Sequence, residues 1–375
     1  MKVFPSNVTV FVSTGEVSGD RYASLVVESL RRMCPGLSVV ALGGEALQTA
    51  GALLLGDTQR MATVGVWEAV RSLRGWWSLF GRTTRYLLSA RPHCVLLVDN
   101  PGFNLRLARF CYVQGLPVVY FVPPQVWVWG RGRAKKLSRW ASSICTIFPW
   151  EEAYFDPQKT LWVGHPVAWF VEQFEKKQES QEKKDRKTVL LLPGSRKGEV
   201  EAYLERVFPA LQVLTKKYPY LVWKLVTASS EIQSVVDEKL QSLPVTLVAH
   251  QELYHVAQEV LFSISCSGTV TLEMALLGVP QIIVYKVSGL TYRLGKLLVK
   301  SSWVGLPNIL AQEEIFPELI QDDFRPERLI QEAEKFLKES EKQREQAAFW
   351  SGKLREQLFR GNPFENVAQV VKKYL

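Results

Sequence analysis

Short runs of apolar, β-branched residues alternate along the chain with amphipathic stretches of helical period. Strands of a parallel sheet are typically continuous apolar runs, and the segments that join them are long enough to hold helices. The pattern therefore predicts an α/β protein with parallel sheets covered on both faces. Strands are predicted at 8–13, 38–42, 94–98, 118–121, 143–147, 188–192, 222–226, 245–248, 261–265 and 281–285. Helices between them include 21–34, 201–217 and 269–277.

Residues 172–187 separate the predicted strands into two groups. Eleven of these 16 residues are charged, and such a segment does not cross a hydrophobic core. The alternative is a solvated helix inside one domain. Two similar α/β domains joined by a hinge favour an enzyme with its site in the cleft between them. The predicted division is a domain over 1–171, a linker over 172–187, a second domain over 188–345 and terminal helices over 346–375.

The positive charge is concentrated in the first half of the chain. The net charge is +9 over 375 residues, and residues 1–171 hold 18 basic and 10 acidic residues. Nine of the 12 Trp residues also lie there. This half is therefore expected to contact anions or amphipathic surfaces. The longest uncharged run, 110–130, contains three prolines and predicts a strand and a loop instead of a membrane span. The N-terminal residues predict a first strand and not a signal peptide.

The cysteines and histidines argue against metal chemistry and disulfides. The five cysteines are scattered without CxxC spacing, and none of the four histidines is paired at metal-ligand spacing. We expect buried thiols in a reducing cytoplasm and no metal site.

Two loops of the first half follow predicted strands. Residues 14–20 (TGEVSGD) open a helix, whose free amides can bind an anion or a sugar hydroxyl, although the loop could equally be structural. Its spacing is not GxGxxG, which argues against a dinucleotide cofactor. Asp99, in residues 97–104 (LVDNPGFN), ends a buried strand at the edge where α/β sheets bind ligands. It is a candidate general base or a helix cap.

Two loops of the second half suit a nucleotide. Residues 192–199 (LPGSRKGE) and 263–273 (SISCSGTVTLE) each join a strand to a helix. They offer amides, hydroxyls and an arginine fork to phosphates, and a carboxylate one turn further on could hold ribose hydroxyls. The alternative for both loops is helix capping alone. A further polar residue, Asn308, lies in a turn at 305–312 (GLPNILAQ), and the alternative there is a simple Asx turn. The candidate nucleotide-binding residues are Ser195, Arg196, Ser267, Gly268, Thr269, Glu273 and Asn308.

Residues 64–82 (VGVWEAVRSLRGWWSLFGR) combine aromatic and basic residues. This composition is typical of a helix lying in the interface of an anionic bilayer. Trp76, Trp77, Arg71 and Arg74 are the predicted docking residues. The alternative is an amphipathic helix whose aromatic side chains pack inward on the sheet.

Taken together, the sequence resembles the lipid-A-disaccharide synthase family from about residue 8 to residue 325. Nine of its segments occur in the family's order: TGEVSGD, VGVWEAV, VDNPGFN, PPQVWVWGRGR, FPWEEAYF, VGHP, LPGSRKGEVE, SGTVTLE and LPNILA. The resemblance implies a GT-B fold, two Rossmann-like domains facing each other across a cleft. It implies an inverting glycosyltransferase of lipid A biosynthesis that needs no metal or cofactor. The implied reaction transfers 2,3-diacylglucosamine from UDP to the 6-hydroxyl of 2,3-diacylglucosamine 1-phosphate and releases UDP.

The resemblance also assigns residues. It implies Asp99 as the base, with Glu16 as a further catalytic residue and Ser18 and Asp20 in an acceptor loop. Among the nucleotide-binding candidates named above, the family's motif positions match Arg196, Ser267, Gly268, Thr269, Glu273 and Asn308. Three positions depart from the family: Gly102 replaces the usual Asp, Gln125 a frequent Ser and Gln312 a common Gly.

The implied partners are UDP-diacylglucosamine, diacylglucosamine 1-phosphate and the lipid surface of the inner membrane, and a homodimer stays open. The implied location is the cytoplasm, peripheral on the inner face of that membrane. Rival interpretations are the peptidoglycan N-acetylglucosaminyltransferase and the UDP-N-acetylglucosamine 2-epimerase, which share the architecture. A basic nucleic-acid-binding protein is suggested by the pI of about 9.2 and the basic run at 131–139. No nucleic-acid motif accompanies that run, so no nucleic-acid partner is expected.

Overall fold

The structure is a computed structural model that describes residues 8–58, 69–127, 130, 132–177, 186–227, 233, 236, 243–286 and 302–375. Of residues 69–74 only the backbone is described. The chain forms two compact units. The first comprises Met1–Trp169 and Arg360–Leu375, and the second comprises Phe170–Phe359.

The first unit is built on a seven-stranded parallel sheet in the order β3-β2-β1-β4-β5-β6-β7. Its strands are β1 Thr9–Ser13, β2 Ser38–Gly43, β3 Leu53–Asp57, β4 Cys94–Val98, β5 Val118–Phe121, β6 Ser143–Thr146 and β7 Thr160–Trp162. Its helices are α1 Val17–Met33, α2 Glu45–Thr49, α3 Ala69–Ala90, α4 Pro101–Val113 and α5 Gly132–Trp140, with a 3₁₀ helix at Pro149–Tyr154. Helix α6, Pro166–Lys176, contains the boundary between the units.

Strand β4, CVLLV, explains why this sheet lies at the centre of its unit. Every one of its five residues is fully buried. An apolar strand with no polar face must be covered on both sides, which parallel β-α-β connections achieve because they place helices on both faces. From β1 the chain adds β2 and β3 on one side of the sheet, and from β4 it adds β5, β6 and β7 on the other side. The direction of winding therefore reverses between β1 and β4, which form the switch point of the sheet.

The second unit contains a six-stranded parallel sheet in the order β10-β9-β8-β11-β12-β13. Its strands are β8 Thr188–Leu192, β9 Val222–Thr227, β10 Val245–Ala249, β11 Val260–Cys266, β12 Gln281–Tyr285 and β13 Glu318–Ile320. Its helices are α7 Lys197–Lys217, α8 Leu253–Ala257, α9 Thr269–Leu276, α10 Leu306–Ala311, α11 Pro326–Lys338 and α12 Ser340–Leu358, with a 3₁₀ helix at His250–Glu252. Its switch point lies between β8 and β11.

The last helix, α13 Pro363–Lys372, belongs to the first unit. Asn362 caps it by accepting hydrogen bonds from the amides of Phe364 and Glu365 at 3.0 and 3.3 Å. The Phe364 ring is 1% exposed and lies 5.2 Å from the Trp169 ring and 6.4 Å from the Phe121 ring. Burial of this ring holds the C-terminal end of the chain against the first sheet.

The predicted fold class, two parallel α/β domains, is confirmed, and all ten predicted strands are present. The prediction missed β3, β7 and β13. The predicted linker stays a prediction, since residues 178–185 within it lie outside the described residues. The terminal helices at 346–375 were predicted as one group, whereas α12 lies in the second unit and α13 in the first, because each has its apolar face buried in a different core.

Candidate active site

The switch point of the first sheet carries a cavity of about 230 Å³. The segment after β1 and the segment after β4 form its walls, together with one side chain from α3. The structure therefore brings together Glu16 and Asp99, the two predicted catalytic carboxylates, although they lie 83 positions apart in the sequence. The lining residues are Gly15, Glu16, Trp76, Asp99, Asn100 and Pro101.

Asp99 is placed in an environment that disfavours its charge. Its pKa is raised from 3.8 to about 6: burial is the largest cause, the negative charge of Glu16 adds to it, and the Asn100 amide opposes the shift. A carboxylate with a pKa near neutrality is a stronger base than a solvated one and is still ionised at pH 7. This position can therefore accept a proton from a hydroxyl group.

The backbone at Asp99 is unusual. Asp99 and Asn100 both have left-handed conformations, with φ of +50° and +46°. Gly15 approaches this turn so closely that a Cβ atom added to it would lie 2.4 Å from Nδ2 of Asn100. Left-handed conformations at non-glycine residues carry strain and recur at functional sites.

Two buried side chains that the sequence analysis did not single out hold this turn. Asn104, in α4, donates from Nδ2 to the carbonyl oxygens of Asp99, Val98 and Ser13 at 2.9, 3.2 and 3.3 Å. Its Oδ1 accepts a hydrogen bond of 2.7 Å from Oγ of Ser13. Tyr120, in β5, donates from its hydroxyl to the Asp99 carbonyl at 2.7 Å. Asn104 lies within the LVDNPGFN segment, so a buried amide in the first turn of a helix was the available signal.

The acceptor-loop prediction is corrected for Asp20. Its side chain is 1% exposed, and its two carboxylate oxygens accept hydrogen bonds from the amides of Gly44 and Ala46 at 2.7 and 3.0 Å. Asp20 therefore satisfies free amides at the start of α2, because a helix N-terminus favours a carboxylate. Ser18 is exposed in the first turn of α1 and stays available to a ligand.

Helix α3 combines inward-facing and outward-facing residues at the predicted docking segment. Trp76 lines the cavity and its ring lies 5.4 Å from the Phe103 ring, while Leu79 is fully buried. Trp77 is 67% exposed. Trp76 is therefore corrected from a docking residue to a wall of the cavity. The side chains of Arg71 and Arg74 lie outside the described residues.

The switch point of the second sheet brings the two predicted phosphate loops together. The segment after β8 contains Ser195 and Arg196, and the segment after β11 leads through Gly268 and Thr269 into α9. All four of these residues are exposed. Arg196 forms a 3.1 Å ion pair with Glu199. Open amides at a helix N-terminus beside an exposed guanidinium make an anion-binding arrangement.

A partly buried hydrogen-bond network supports the second of these loops. Ser267 donates from Oγ to the Val304 carbonyl at 3.0 Å, and the amide of Val304 donates to Glu318 at 2.8 Å. Asn308 donates to the other oxygen of Glu318 at 2.8 Å and to the Phe316 carbonyl at 2.7 Å. Burial is the main cause that raises the pKa of Glu318. The network ties the segment before α10 to the nucleotide loop.

The prediction that Asn308 binds the nucleotide is corrected for the same reason as the prediction for Asp20. It is fully buried, and its Oδ1 accepts from the amides of Ile315 and Phe316, both at 3.0 Å. Its donors and acceptor are all used within the protein, so its role is to hold the loop and not to contact a nucleotide. It is also not a simple Asx turn, because its partners lie seven to ten residues away.

Glu273 lies one turn into α9 and is half-buried. The Tyr254 hydroxyl donates to one of its oxygens at 3.4 Å. The Tyr254 ring in turn lies 5.5 Å from the Phe174 ring in an edge-on contact. The role of Glu273 as a ribose-binding carboxylate stays a prediction.

The described ranges contain neither a metal-binding cluster nor a membrane-spanning helix. No group of three or more His, Cys, Asp or Glu residues there is placed to hold a metal ion. No helix within those ranges is long and apolar enough to cross a membrane.

Comparison with solved structures supports the fold. The UDP-GlcNAc 2-epimerase from Neisseria meningitidis, solved with UDP-GlcNAc, superposes with a TM-score of 0.61 at 14% identity, covering 98% of both chains. The spinosyn rhamnosyltransferase SpnG gives a TM-score of 0.58 at 13% identity, covering 98% of this chain and 99% of its own. At these identities the likeness concerns the GT-B fold alone.

Comparison of sequences identifies the family. The family model described as lipid-A-disaccharide synthetase matches residues 10–371. The lipid-A-disaccharide synthases of Geobacter metallireducens and Geobacter sulfurreducens are 33% and 34% identical, each over 98% of this chain and over 98% and 97% of their own. The resemblance found in the nine segments is confirmed. With this identity sustained over nearly its whole length, the chain belongs to the lipid-A-disaccharide synthase family, glycosyltransferases of the GT-B fold that act in lipid A biosynthesis.

Proposed function

We propose that this chain transfers a 2,3-diacylglucosaminyl group from UDP to the 6-hydroxyl of 2,3-diacylglucosamine 1-phosphate, with inversion at the anomeric carbon. The bond from the anomeric carbon to the UDP oxygen breaks while the bond to the acceptor oxygen forms. The hydroxyl proton passes to a protein base, and UDP leaves with the bonding electrons. The cavity that holds Asp99 and Glu16 is the observation that carries this proposal.

Asp99 is the proposed base. Its pKa of about 6 leaves it ionised at pH 7 and still basic enough to accept the proton as the new bond forms. Glu16 acts through its charge, which helps to keep the pKa of Asp99 high. A second carboxylate beside the base also favours a developing positive charge on the sugar ring.

The proposed UDP site is the switch point of the second sheet. The amides of Gly268 and Thr269 and the guanidinium of Arg196 would bind the diphosphate. Arg196 is already paired with Glu199 across 3.1 Å, so the diphosphate replaces one carboxylate partner with a more highly charged one. Glu273 would accept hydrogen bonds from the ribose hydroxyls.

Mass spectrometry of the products tests the reaction. Purified protein is incubated with UDP-2,3-diacylglucosamine and 2,3-diacylglucosamine 1-phosphate, and we expect a disaccharide 1-phosphate together with one UDP per disaccharide. The anomeric configuration of the new bond is read by NMR and should be inverted. A UDP-sugar epimer without disaccharide would refute the proposal in favour of an epimerase, and a retained configuration would refute the single displacement.

Membrane docking is proposed on the exposed side of α3. Substrates with acyl chains reside in a bilayer leaflet, and Trp77 presents a large amphipathic ring to the surroundings at 67% exposure. Aromatic side chains with nearby basic residues favour the interface of an anionic membrane. The proposed docking set is therefore Trp77, together with Arg71 and Arg74 as the sequence predicts them, and Trp76 is left out of it.

Liposome sedimentation tests the docking. We expect the protein to pellet with anionic vesicles, and less so in high salt because the attraction of Arg71 and Arg74 is screened. Trp77→Ser should lose most of this binding and keep its fold. Tyr220→Ser is the matched control, since Tyr220 is a 56% exposed aromatic residue of the second unit. Unchanged pelleting of Trp77→Ser would place the docking surface elsewhere.

A further inference from the structure

The two strand ends at the switch point of the first sheet are joined by one side chain. Asn104 is fully buried and bonds to the carbonyl oxygens of Ser13, at the end of β1, and of Val98 and Asp99, at the end of β4. The Ser13 hydroxyl completes the link by donating to Oδ1 of Asn104 at 2.7 Å. The segment that carries Glu16 and the segment that carries Asp99 are therefore held at a set separation.

A second buried side chain acts on the same atom. The Tyr120 hydroxyl donates to the Asp99 carbonyl at 2.7 Å, so this single oxygen accepts hydrogen bonds from two side chains. Tyr120 is fully buried within β5. Both donors thus converge on the backbone carbonyl of the proposed base.

The conformation of Asp99 explains what these bonds accomplish. Its φ of +50° and the +46° of Asn100 are left-handed, and strained conformations persist only where the surroundings hold them. The direction of a side chain follows from φ and ψ at its own Cα. If the turn relaxed to the extended region, the Asp99 carboxylate would therefore leave its place in the cavity.

We propose that Asn104 and Tyr120 are positioning residues for the reaction, which hold the left-handed turn that aims the Asp99 carboxylate into the cavity beside Glu16. The inference rests on the proposed role of Asp99 as the base. Neither residue lines the cavity. Their contribution is made through the backbone carbonyl of Asp99 and, for Asn104, through the link to Ser13.

Tyr120→Phe is the main test, because it removes one hydroxyl and leaves the ring in the core. We expect kcat to fall about tenfold, the equivalent of about 1.4 kcal/mol of activation free energy, while KM for both substrates stays near its original value. Tyr203→Phe is the matched control: Tyr203 is a buried tyrosine of the second unit whose hydroxyl donates to the Ile264 carbonyl at 2.8 Å. It should lose similar thermal stability and keep its kcat.

The pH profile gives a readout that a loss of stability alone would not move. Glu16 faces Asp99 from the segment before α1, Tyr120 lies beneath it on β5, and Arg133 on α5 acts on Tyr120. Burial is the main cause of the high pKa of Asp99. A relaxed turn exposes the carboxylate, so the acid limb of kcat/KM should move to lower pH in Tyr120→Phe and stay in place in Tyr203→Phe.

Asn104→Ser should produce the same changes more strongly. Asn366→Ser is its control, since Asn366 also donates to two backbone carbonyls of the first unit, those of Val163 and Arg360, at 3.0 and 3.1 Å. If Asn104→Ser does not fold, Tyr120→Phe decides the matter alone.

The outcomes separate this inference from the proposed function. Full activity of Asp99→Asn would overturn the base and the positioning role together. An inactive Asp99→Asn, combined with a Tyr120→Phe that matches Tyr203→Phe in kcat and in its acid limb, would overturn the positioning role and leave the base in place. An inactive Asp99→Asn with a tenfold slower, acid-shifted Tyr120→Phe supports both.

Discussion

Asp99→Asn should make the protein less active and more stable at the same time. The substitution keeps the shape of the side chain and removes its charge. Because an amide does not accept the proton, we expect kcat to fall by about 10²–10⁴. The wild-type acid limb of kcat/KM, expected near pH 6 from the pKa of Asp99, should be absent from the residual activity.

The gain in stability follows from the raised pKa. In the folded protein Asp99 keeps its proton up to about pH 6, whereas in the unfolded chain it loses the proton near 3.8. Stability is therefore lost as the pH rises through this window and stays lower above it. With about 1.36 kcal/mol for each pKa unit, ionisation of Asp99 costs the folded state about 3 kcal/mol at pH 8 and about half of that at pH 5. Asparagine avoids this cost.

Urea unfolding at pH 8 and pH 5 measures the difference. We expect the free energy of unfolding of Asp99→Asn to exceed that of the wild type by up to about 3 kcal/mol at pH 8, with the gap narrowing at pH 5. Asp323→Asn, at an exposed position, is the control and should show no such gap. An Asp99→Asn protein that is less stable than the wild type at pH 8, or whose advantage does not depend on pH, would refute the argument from burial.

Three further substitutions test the remaining parts of the site. Glu16→Gln removes a negative charge that raises the pKa of Asp99, so the acid limb of kcat/KM should move to lower pH; a shift to higher pH would contradict the assigned cause. Gly268→Val meets no protein atom within 4 Å at its Cβ, so the fold should survive while calorimetry shows UDP binding weakened at least about tenfold by the blocked amides; unchanged binding would move the nucleotide site elsewhere. Asn308→Ala removes four hydrogen bonds, from the amides of Ile315 and Phe316 and to the Phe316 carbonyl and Glu318, and should lower the free energy of unfolding by about 2–4 kcal/mol in denaturant titrations; unchanged stability with lost UDP binding would restore its direct role.

The strands show which parts of the fold could be predicted from the sequence. The central strands are continuous apolar runs because both faces of a parallel sheet are buried, so β4 was predicted at its observed bounds. The missed strands β3, β7 and β13 are only partly buried, and β7 and β13 have three residues each. Strands at the edge of a sheet have a solvated side and carry a weaker apolar signal.

The loops after the strands were also predictable, since a ligand-binding loop at the end of a parallel strand needs glycine, small polar residues and a following helix. Which polar side chains of these loops face a ligand could not be inferred from their position in the sequence. Asp20 and Asn308 carry groups suited to binding, yet both are consumed by backbone partners. These partners lie between seven and 26 residues away in the sequence, so tertiary packing selects them and no local pattern records them.

The two α/β units, the family and the chemistry available in each loop can be inferred from the sequence alone, because apolar periodicity and local loop composition are properties of neighbouring residues. The tertiary structure places Glu16 and Asp99 in one cavity, since strand order puts β1 beside β4. It also decided that Trp76 faces inward while its neighbour Trp77 faces outward. The left-handed turn at Asp99 and the hydrogen bonds that its carbonyl accepts from Asn104 and Tyr120 also depend on the tertiary structure. Each depends on contacts between segments that are distant in the sequence, and their geometry is set by the packing of strands and helices in the folded unit.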